Sequence, residues 1–202
     1  MNLVVIGAGG HAKVVTDTAQ LAGWNVVGFA DDNPDTTLFN LPYLGKPINL
    51  KLLKNTQVVI AIGSNLVRRE LVFLLSNRFS WAKVVHPKAI VSNRAVFGAG
   101  TVIFSGAVVQ ADTVIGQHCI VNSSASVDHD CTIADYCHIA PNATLTGGVV
   151  LEAGVFVGAG SVVAPLKRVG AWSILGAGGV SVQDLDSHGT FVGIPAKRLA
   201  SR

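Results

Sequence analysis

The sequence predicts a small α/β domain followed by a left-handed parallel β-helix. Three observations predict it. The first stretch, about 80 residues, alternates strand and helix signals around a glycine-rich turn. From Val85 onward an aliphatic residue or Phe recurs every sixth position for sixteen hexads without an insertion. Half of the 202 residues are hydrophobic, only 13% are charged and mean hydropathy is +0.49. No run approaches the roughly 18 uninterrupted apolar residues of a bilayer span. The apolar content therefore belongs to a repetitive core or a subunit interface. The two domains are expected at 1–84 and 85–202.

In the first domain, Leu3 to Ile6 reads as a short apolar strand, and Gly7-Ala8-Gly9-Gly10 as a tight turn. His11 to Ala22 has helical spacing, with Ala12, Val15, Ala19 and Ala22 on one side. Asn25 to Phe29 is a second strand, ending at Asp31-Asp32-Asn33-Pro34. Gln57 to Ile62 is a third, followed by Gly63-Ser64-Asn65 and a helix through Leu75. Trp81 to Val85 reads as a fourth strand. Strands alternating with helices imply a small parallel sheet.

Cut in sixes from Val85, the chain runs VHPKAI, VSNRAV, FGAGTV and onward to LGAGGV. The first position fills the interior of a triangular prism. The fifth is Ala, Thr, Cys, Val, Ser or Gly everywhere except Lys167, as an inward position of limited space requires. Three hexads make one coil of about 18 residues, and stacked coils lie one strand spacing apart, ~4.8 Å. Glycine, Asn and Asp gather at the corners, where unusual backbone angles are needed. The segment His188 to Arg198 reads as a cap over the open end.

This register sorts the reactive residues. Cys119, Cys131 and Cys137 all fall at position five. They point into the core like the alanines of the same column, so neither a zinc site nor a thiol nucleophile is expected. Their odd number, with no basic leader before the first strand, suits a reduced, cytoplasmic protein. His129 and Asp130 fall at positions three and four, at an outward corner. Ala111 and Gly147 stack on either side of His129, which leaves space around the ring. Asp130 stacks between Asp112 and Gly148, and two facing carboxylates favour a partner such as imidazole. A carboxylate that fixes the tautomer leaves the other ring nitrogen as a general base. The competing reading is a surface histidine in a polar corner, the reading given to His86, His118 and His188. His138 falls between Ile120 and Phe156, and Asn122 between Phe104 and Ala140. Asp128, between Gln110 and Thr146, receives no role.

GAGGHA fits a G-x-G-x-x-G/A fingerprint between a strand and a helix, with Asp31 and Asp32 where a ribose-binding acid belongs. The domain is half of a doubly wound sheet, sized for a mononucleotide rather than NAD. The loop amides and helix N-terminus suit a phosphate, with Gly63 closing the pocket; a tight turn that needs glycine is the plainer alternative. A net charge of +3 mildly favours anionic small ligands, and no basic run with interleaved aromatics suggests nucleic acid.

VVIGAGGHAKVV, FADDN, the hexads, the histidine-plus-acid corner and FVGIPAKR together resemble one family along essentially the whole chain. It is the bacterial sugar acetyltransferases grouped with sialic acid O-acetyltransferase, including UDP-4-amino-sugar and GDP-perosamine N-acetyltransferases. The resemblance implies a homotrimer, with acetyl-CoA in the groove between subunits and a nucleotide sugar held by the N-terminal domain. It implies His129 as general base and Asp130, where the family often has glutamate, as its acidic partner. It places His138, Gly147, Ala159 and Ala177 against acetyl-CoA. Gly9, Gly10, His11, Asp31, Asp32, Ile62 and Gly63 fall in the nucleotide pocket, and Asn122 near the base and sugar. Charge adds Lys197 and Arg198 as candidates for the CoA phosphates. No metal is expected, and no covalent acyl-enzyme. The leading expectation is N-acetylation of a nucleotide-linked 4-amino sugar. O-acetylation of a sugar hydroxyl, an NAD-dependent oxidoreductase and a non-catalytic nucleotide-sensing scaffold are the rivals.

Overall fold

The computed structural model describes residues 1–51, 55–75 and 78–200. The first domain holds β1 (Asn2–Ile6), α1 (Gly10–Leu21), β2 (Asn25–Ala30), β3 (Thr56–Ile60) and α2 (Asn65–Leu75). The three strands form a parallel sheet in the order β2-β1-β3. β1 sits in the middle because LVVI is apolar on both faces, as a strand covered on both sides must be. α1 buries the stripe Ala12, Val15, Ala19 that its sequence presents. The observed elements match the expected ones to within about two residues. Among the described residues no helix is long and apolar enough to cross a membrane.

The fourth strand is the exception. Trp81 makes only a single bridge to Val58. Val84–Val85, labelled β4, pairs with Val102–Ile103 and so opens the solenoid. Val84 packs with Phe104, Ile120 and the underside of α1, while Val85 packs into the solenoid core. The segment is extended, but its hydrogen bonds are split: Ala82 N donates to Val58 O in β3 (2.9 Å), while Val84 N and His86 N donate to Thr101 O and Ile103 O in the second domain.

The solenoid has three parallel sheets, and each strand pairs with the next in its sheet 18 residues on, as Ile120 with His138 and His138 with Phe156. These are the sheets and coils of the left-handed parallel β-helix read from the hexads. Position-one residues from Ile103 to Leu175 are buried. Every sixth residue from Gly100 to Gly178 has positive φ, and all of them stand at position four. This includes residues that rarely adopt that conformation, such as Leu166 and Trp172. Position five does more than fit. Thr101 donates to Gly116 O (2.9 Å), Thr113 to Asp128 O (2.8 Å), Cys119 to Ala134 O (3.2 Å), Cys131 to Thr146 O (3.3 Å) and Cys137 to Glu152 O (3.0 Å). These five each serve the position-two carbonyl 15 residues on, whereas the position-five hydroxyls of Ser161 and Ser173 donate to Gly158 O (2.5 Å) and Gly170 O (2.6 Å), three residues back. The cysteines are donors as well as fillers, and burial pushes the Cys131 and Cys137 thiols up, away from nucleophilic use.

The first domain lies on the first sheet, where Val84, Val102, Phe104 and Ile120 form one buried cluster with Ala8, Ala12 and Val15. At the far end, Thr190–Val192 continues this sheet beside Ile174–Leu175, and Lys197–Arg198 pairs back antiparallel. Leu185, Phe191 and Ala196 close the core there, so the expected cap is present.

Candidate active site

His129 and Asp130 stand at the corner between the second and third sheets, the corner opposite the sheet that carries the first domain. Positive φ at Asp130 turns its short side chain back along the chain. Its Oδ2 then accepts from His129 Nδ1 at 2.7 Å. The aspartate reaches the ring without the extra methylene of a glutamate. Asp112, stacked one coil from Asp130, has a partner of its own. It is held two-pronged by Arg94 at 3.0 Å from each side. Asp128 gains a role: its Oδ1 accepts from the His129 backbone N–H at 2.8 Å, fixing the turn beneath the ring. The hydrogen bond to Asp130, then the charge of Asp128, raise the His129 pKa above its ordinary 6.5. With Nδ1–H committed to Asp130, Nε2 faces outward with no protein partner among the described residues.

Gly147 defines the other side of that nitrogen. A Cβ there would lie 2.7 Å from His129 Cε1 and 2.8 Å from Nε2, so any side chain would collide with the ring. The Gly147 N–H has no acceptor among the described residues. An open groove of about 530 Å³ runs past this point, lined by Asp128, His129, Asp130, Thr146, Gly147, Gly148, Pro165 and Leu166. A general base beside an unsatisfied amide donor is the arrangement that acyl transfer needs.

The remaining predicted residues gather elsewhere. The glycine turn lies at the C-terminal end of the three-stranded sheet. Gly7 needs its φ of 107°, and a Cβ there would press on Ala61 O and Ile62 at 3.1 Å. Gly9 and Gly10 are exposed with open space above them. Asp31 is committed to the fold: its oxygens accept from Ala8 N at 2.8 Å and Asn33 N at 2.9 Å, tying the turn to the end of β2. Asp32 is exposed and is the acid left for a ligand. His11, His138, Asn122 and Gly63 meet where the first domain touches the first sheet. His138 Nδ1 donates to Gly63 O (3.3 Å), and its Nε2 accepts from Asn122 Nδ2 (3.0 Å). Burial, then the nearby Arg68 charge, lowers the pKa of both His138 and His11 to about 4. Ala159 and Ala177 stack as expected, Gly178 N donating to Ala159 O at 2.9 Å, on a corner other than that of His129. Lys197 is exposed at the capped end. Within one chain, among the described residues, no hydrogen bond or ring contact joins the His129 group to the His138 group.

Two histidines expected at the surface and one arginine without an expected role are buried. His86 and His118 are buried, not surface residues; His118 lies stacked on Tyr136 and edge-on to Trp81. For His118 the cause is the first domain, whose Trp81 and Arg68 pack against it; His86 accepts from Lys88 N at 2.9 Å within its own turn. Arg68 is 1% exposed. Its Nε donates to His118 O (2.7 Å), Nη1 to Ile62 O (3.0 Å), and Nη2 to Tyr136 O and Asn65 Oδ1 (both 2.8 Å). One planar fork thereby joins α2 and its loop to the solenoid. A signal existed, because Arg68 shares the helical stripe of Leu71 and Leu75.

A hexad solenoid with an exposed histidine–acid corner beside a free amide defines a class, the hexapeptide-repeat acyltransferases. Residues 2–74 match the PglD N-terminal domain family. Residues 112–147 and 130–165 match the bacterial transferase hexapeptide (six repeats) family. The chain is similar to a variant of perosamine N-acetyltransferase from Caulobacter crescentus solved with CoA and GDP-perosamine. The two are 34% identical over 100% of this chain and 98% of that one, with a TM-score of 0.92. It is also similar to the acetyltransferase domain of PglB from Neisseria gonorrhoeae FA1090 in complex with acetyl coenzyme A, 35% identical over 98% of each chain, TM-score 0.93. A curated relative, UDP-N-acetylbacillosamine N-acetyltransferase of Bacillus subtilis (strain 168), is 38% identical over 108 residues. That match spans half of this chain and half of that protein. This chain belongs to the family of hexapeptide-repeat sugar N-acetyltransferases with a PglD-type N-terminal domain. Two of these relatives, the perosamine and UDP-N-acetylbacillosamine enzymes, are N-acetyltransferases, which favours the amine over the hydroxyl acceptor.

Proposed function

We propose that this protein is an acetyl-CoA-dependent N-acetyltransferase acting on the amine of a nucleotide-linked 4-amino sugar. The observation that carries the reading is the His129–Asp130 pair, 2.7 Å apart, with Nε2 beside the free Gly147 amide. Asp130 holds the proton on Nδ1. The sugar amine attacks the thioester carbonyl, and His129 Nε2 takes the proton the nitrogen sheds. The Gly147 N–H steadies the oxyanion as the C–N bond forms. As the C–S bond breaks, the imidazolium returns its proton to the departing CoA sulfur. No acyl-enzyme is involved, since the cysteines are buried donors.

The nucleotide is assigned to the glycine turn of the first domain, with Gly9, Gly10, His11, Asp32, Ile62 and Gly63 around it. Acetyl-CoA is assigned to the groove at Gly147 and to the Ala159 and Ala177 column, with Lys197 toward its phosphates. His138 and Asn122 complete the site from the solenoid side. The base and the nucleotide turn lie on opposite sides of the prism. One chain cannot therefore present both to one sugar, and the proposed assembly is a homotrimer whose sites form between subunits. Exposed Val96, Val114 and Val150 on the third sheet suit burial in such an assembly. The divisions 1–84 and 85–202 are taken as the nucleotide-sugar and acetyl-transfer domains, in a cytoplasmic enzyme.

The test is free-thiol release from acetyl-CoA with UDP-, GDP- and dTDP-linked 4-amino sugars. Release with at least one amine, and not with its hydroxyl counterpart, is expected. No release with any of them, or a preference for the hydroxyl sugar, defeats the proposal.

A further inference from the structure

The corner that carries His129 is a stack of residue pairs one coil apart: His129-Asp130, then Gly147-Gly148, then Pro165-Leu166. Backbone hydrogen bonds lock the stack, Gly148 N donating to His129 O (2.9 Å) and Leu166 N to Gly147 O (3.0 Å). The middle pair has no side chains. The middle coil thus contributes backbone alone between the polar pair and the Pro-Leu pair, and the His129 ring and the Leu166 side chain lean over it from either side along one wall of the groove. A Cβ on Gly148 would lie 2.6 Å from Leu166 Cδ2, so the leucine hangs directly over the glycine.

Nothing in the fold itself asks for leucine at this place. Leu166 is 78% exposed and has a φ of 61°, a conformation disfavoured for a bulky side chain and unrewarded here by burial. It also stands where the hexad grammar breaks. Pro165 removes a backbone donor, and Lys167 is the single large residue in the inward fifth column. An exposed, conformationally costly apolar residue in the wall of a reactive groove is explained by an apolar group that it meets during turnover.

We propose that Leu166 is the acyl-length gate of this enzyme. The inference rests on the acyl-transfer reading of the groove given above. With the carbonyl carbon placed between His129 Nε2 and the Gly147 N–H, the acyl tail runs along the groove toward Leu166, which stands over Gly148 and ends the space open to it. A two-carbon acyl group fits within that space. A longer chain meets Leu166 before its carbonyl reaches the base. The chemistry is unchanged by chain length: the amine C–N bond forms, the thioester C–S bond breaks, and the proton passes through His129 to the CoA sulfur.

The experiment compares kcat/KM for acetyl-, propionyl- and butyryl-CoA in wild type, Leu166→Ala, Leu166→Gly and Leu166→Met, with assembly size followed by light scattering. One methylene in an apolar pocket discriminates by roughly 10- to 200-fold. Wild type is expected to favour acetyl over propionyl within that range. Leu166→Ala and Leu166→Gly should raise the propionyl-to-acetyl ratio at least about tenfold, with the KM for the nucleotide sugar unchanged. Leu166→Met, of similar volume, should retain the wild-type ratio. Glycine also relieves the positive φ, so this variant keeps the test sound if alanine folds poorly. An active wild type whose ratio is the same in the Ala and Gly variants overturns the gate alone. So does a parallel loss with every donor accompanied by dissociation, which makes Leu166 a subunit contact. A wild type that releases no thiol from acetyl-CoA with any nucleotide amino sugar overturns the acetyl-transfer reading, and the gate with it.

Discussion

Arg68 is a buried cation without a carboxylate partner among the described residues, and that makes its substitutions informative. Among the described residues the His118 and Tyr136 carbonyls accept from no donor other than Arg68. Leaving these two carbonyls, one buried and one part-buried, unpaired costs up to about 1–3 kcal/mol each, so about 2–6 in all. Against this stands the cost of holding the guanidinium out of water. Burial lowers its pKa from 12.5 to about 10, and at 1.36 kcal/mol per unit that is roughly 3 kcal/mol. Arg68→Met removes both terms, so its net loss centres on about 1 kcal/mol. Arg68→Lys keeps a charge to desolvate, but a point cation cannot span His118, Ile62 and Tyr136 together. Its loss centres on about 4 kcal/mol. The conservative substitution is therefore the more damaging one. Urea unfolding at pH 7, followed by circular dichroism at fixed protomer concentration, gives both values. A lysine variant as stable as the methionine variant, or within about 0.5 kcal/mol of wild type, refutes the reasoning.

Three further outcomes follow from the same geometry. His11, His118 and His138 are each held near pKa 4 by burial and by Arg68, against 6.5 in the unfolded chain. The unfolded state then binds more protons, so the stability they contribute is full above pH 6.5 and is lost as pH falls toward 4. Each histidine adds up to about 1.4 kcal/mol per pH unit to that slope, readable from unfolding midpoints across the range. Asp128→Asn removes a charge that raises the His129 pKa, so the acidic limb of kcat/KM should move to lower pH; a shift upward or none contradicts the electrostatic account. Cys131→Ser should keep the donor to Thr146 O and stay near wild-type stability, whereas Cys131→Ala should lose roughly 1–2 kcal/mol by thermal or urea unfolding.

Much of this was legible in the sequence, for reasons tied to particular residues. The hexad register places Val127, Cys131 and Ile133 inward and His129 outward, because a period of six with an aliphatic first position admits one phase. The same register found the groove, since Gly147 stacks on His129 by arithmetic alone. What stayed hidden depends on contacts between domains. His118 and His129 both stand at corners, two hexads apart, and the covering first domain makes one buried and leaves the other free. The strand Val84–Val85 reads equally well as part of either sheet, because its two side chains serve two different cores. Asp128 and Asp130 look alike in sequence; the positive φ at Asp130 sends one carboxylate to the ring and leaves the other on the backbone.

The central claim is that His129, oriented by Asp130, removes the proton from the acceptor amine. The most direct measurement is the pH dependence of kcat/KM for His129→Ala against wild type, with assembly verified. The account predicts a fall of roughly 10²- to 10⁴-fold, together with loss of the acidic limb that lies above pH 6.5 in wild type. An intact assembly turning over at near wild-type rates, with that limb unchanged, would contradict it.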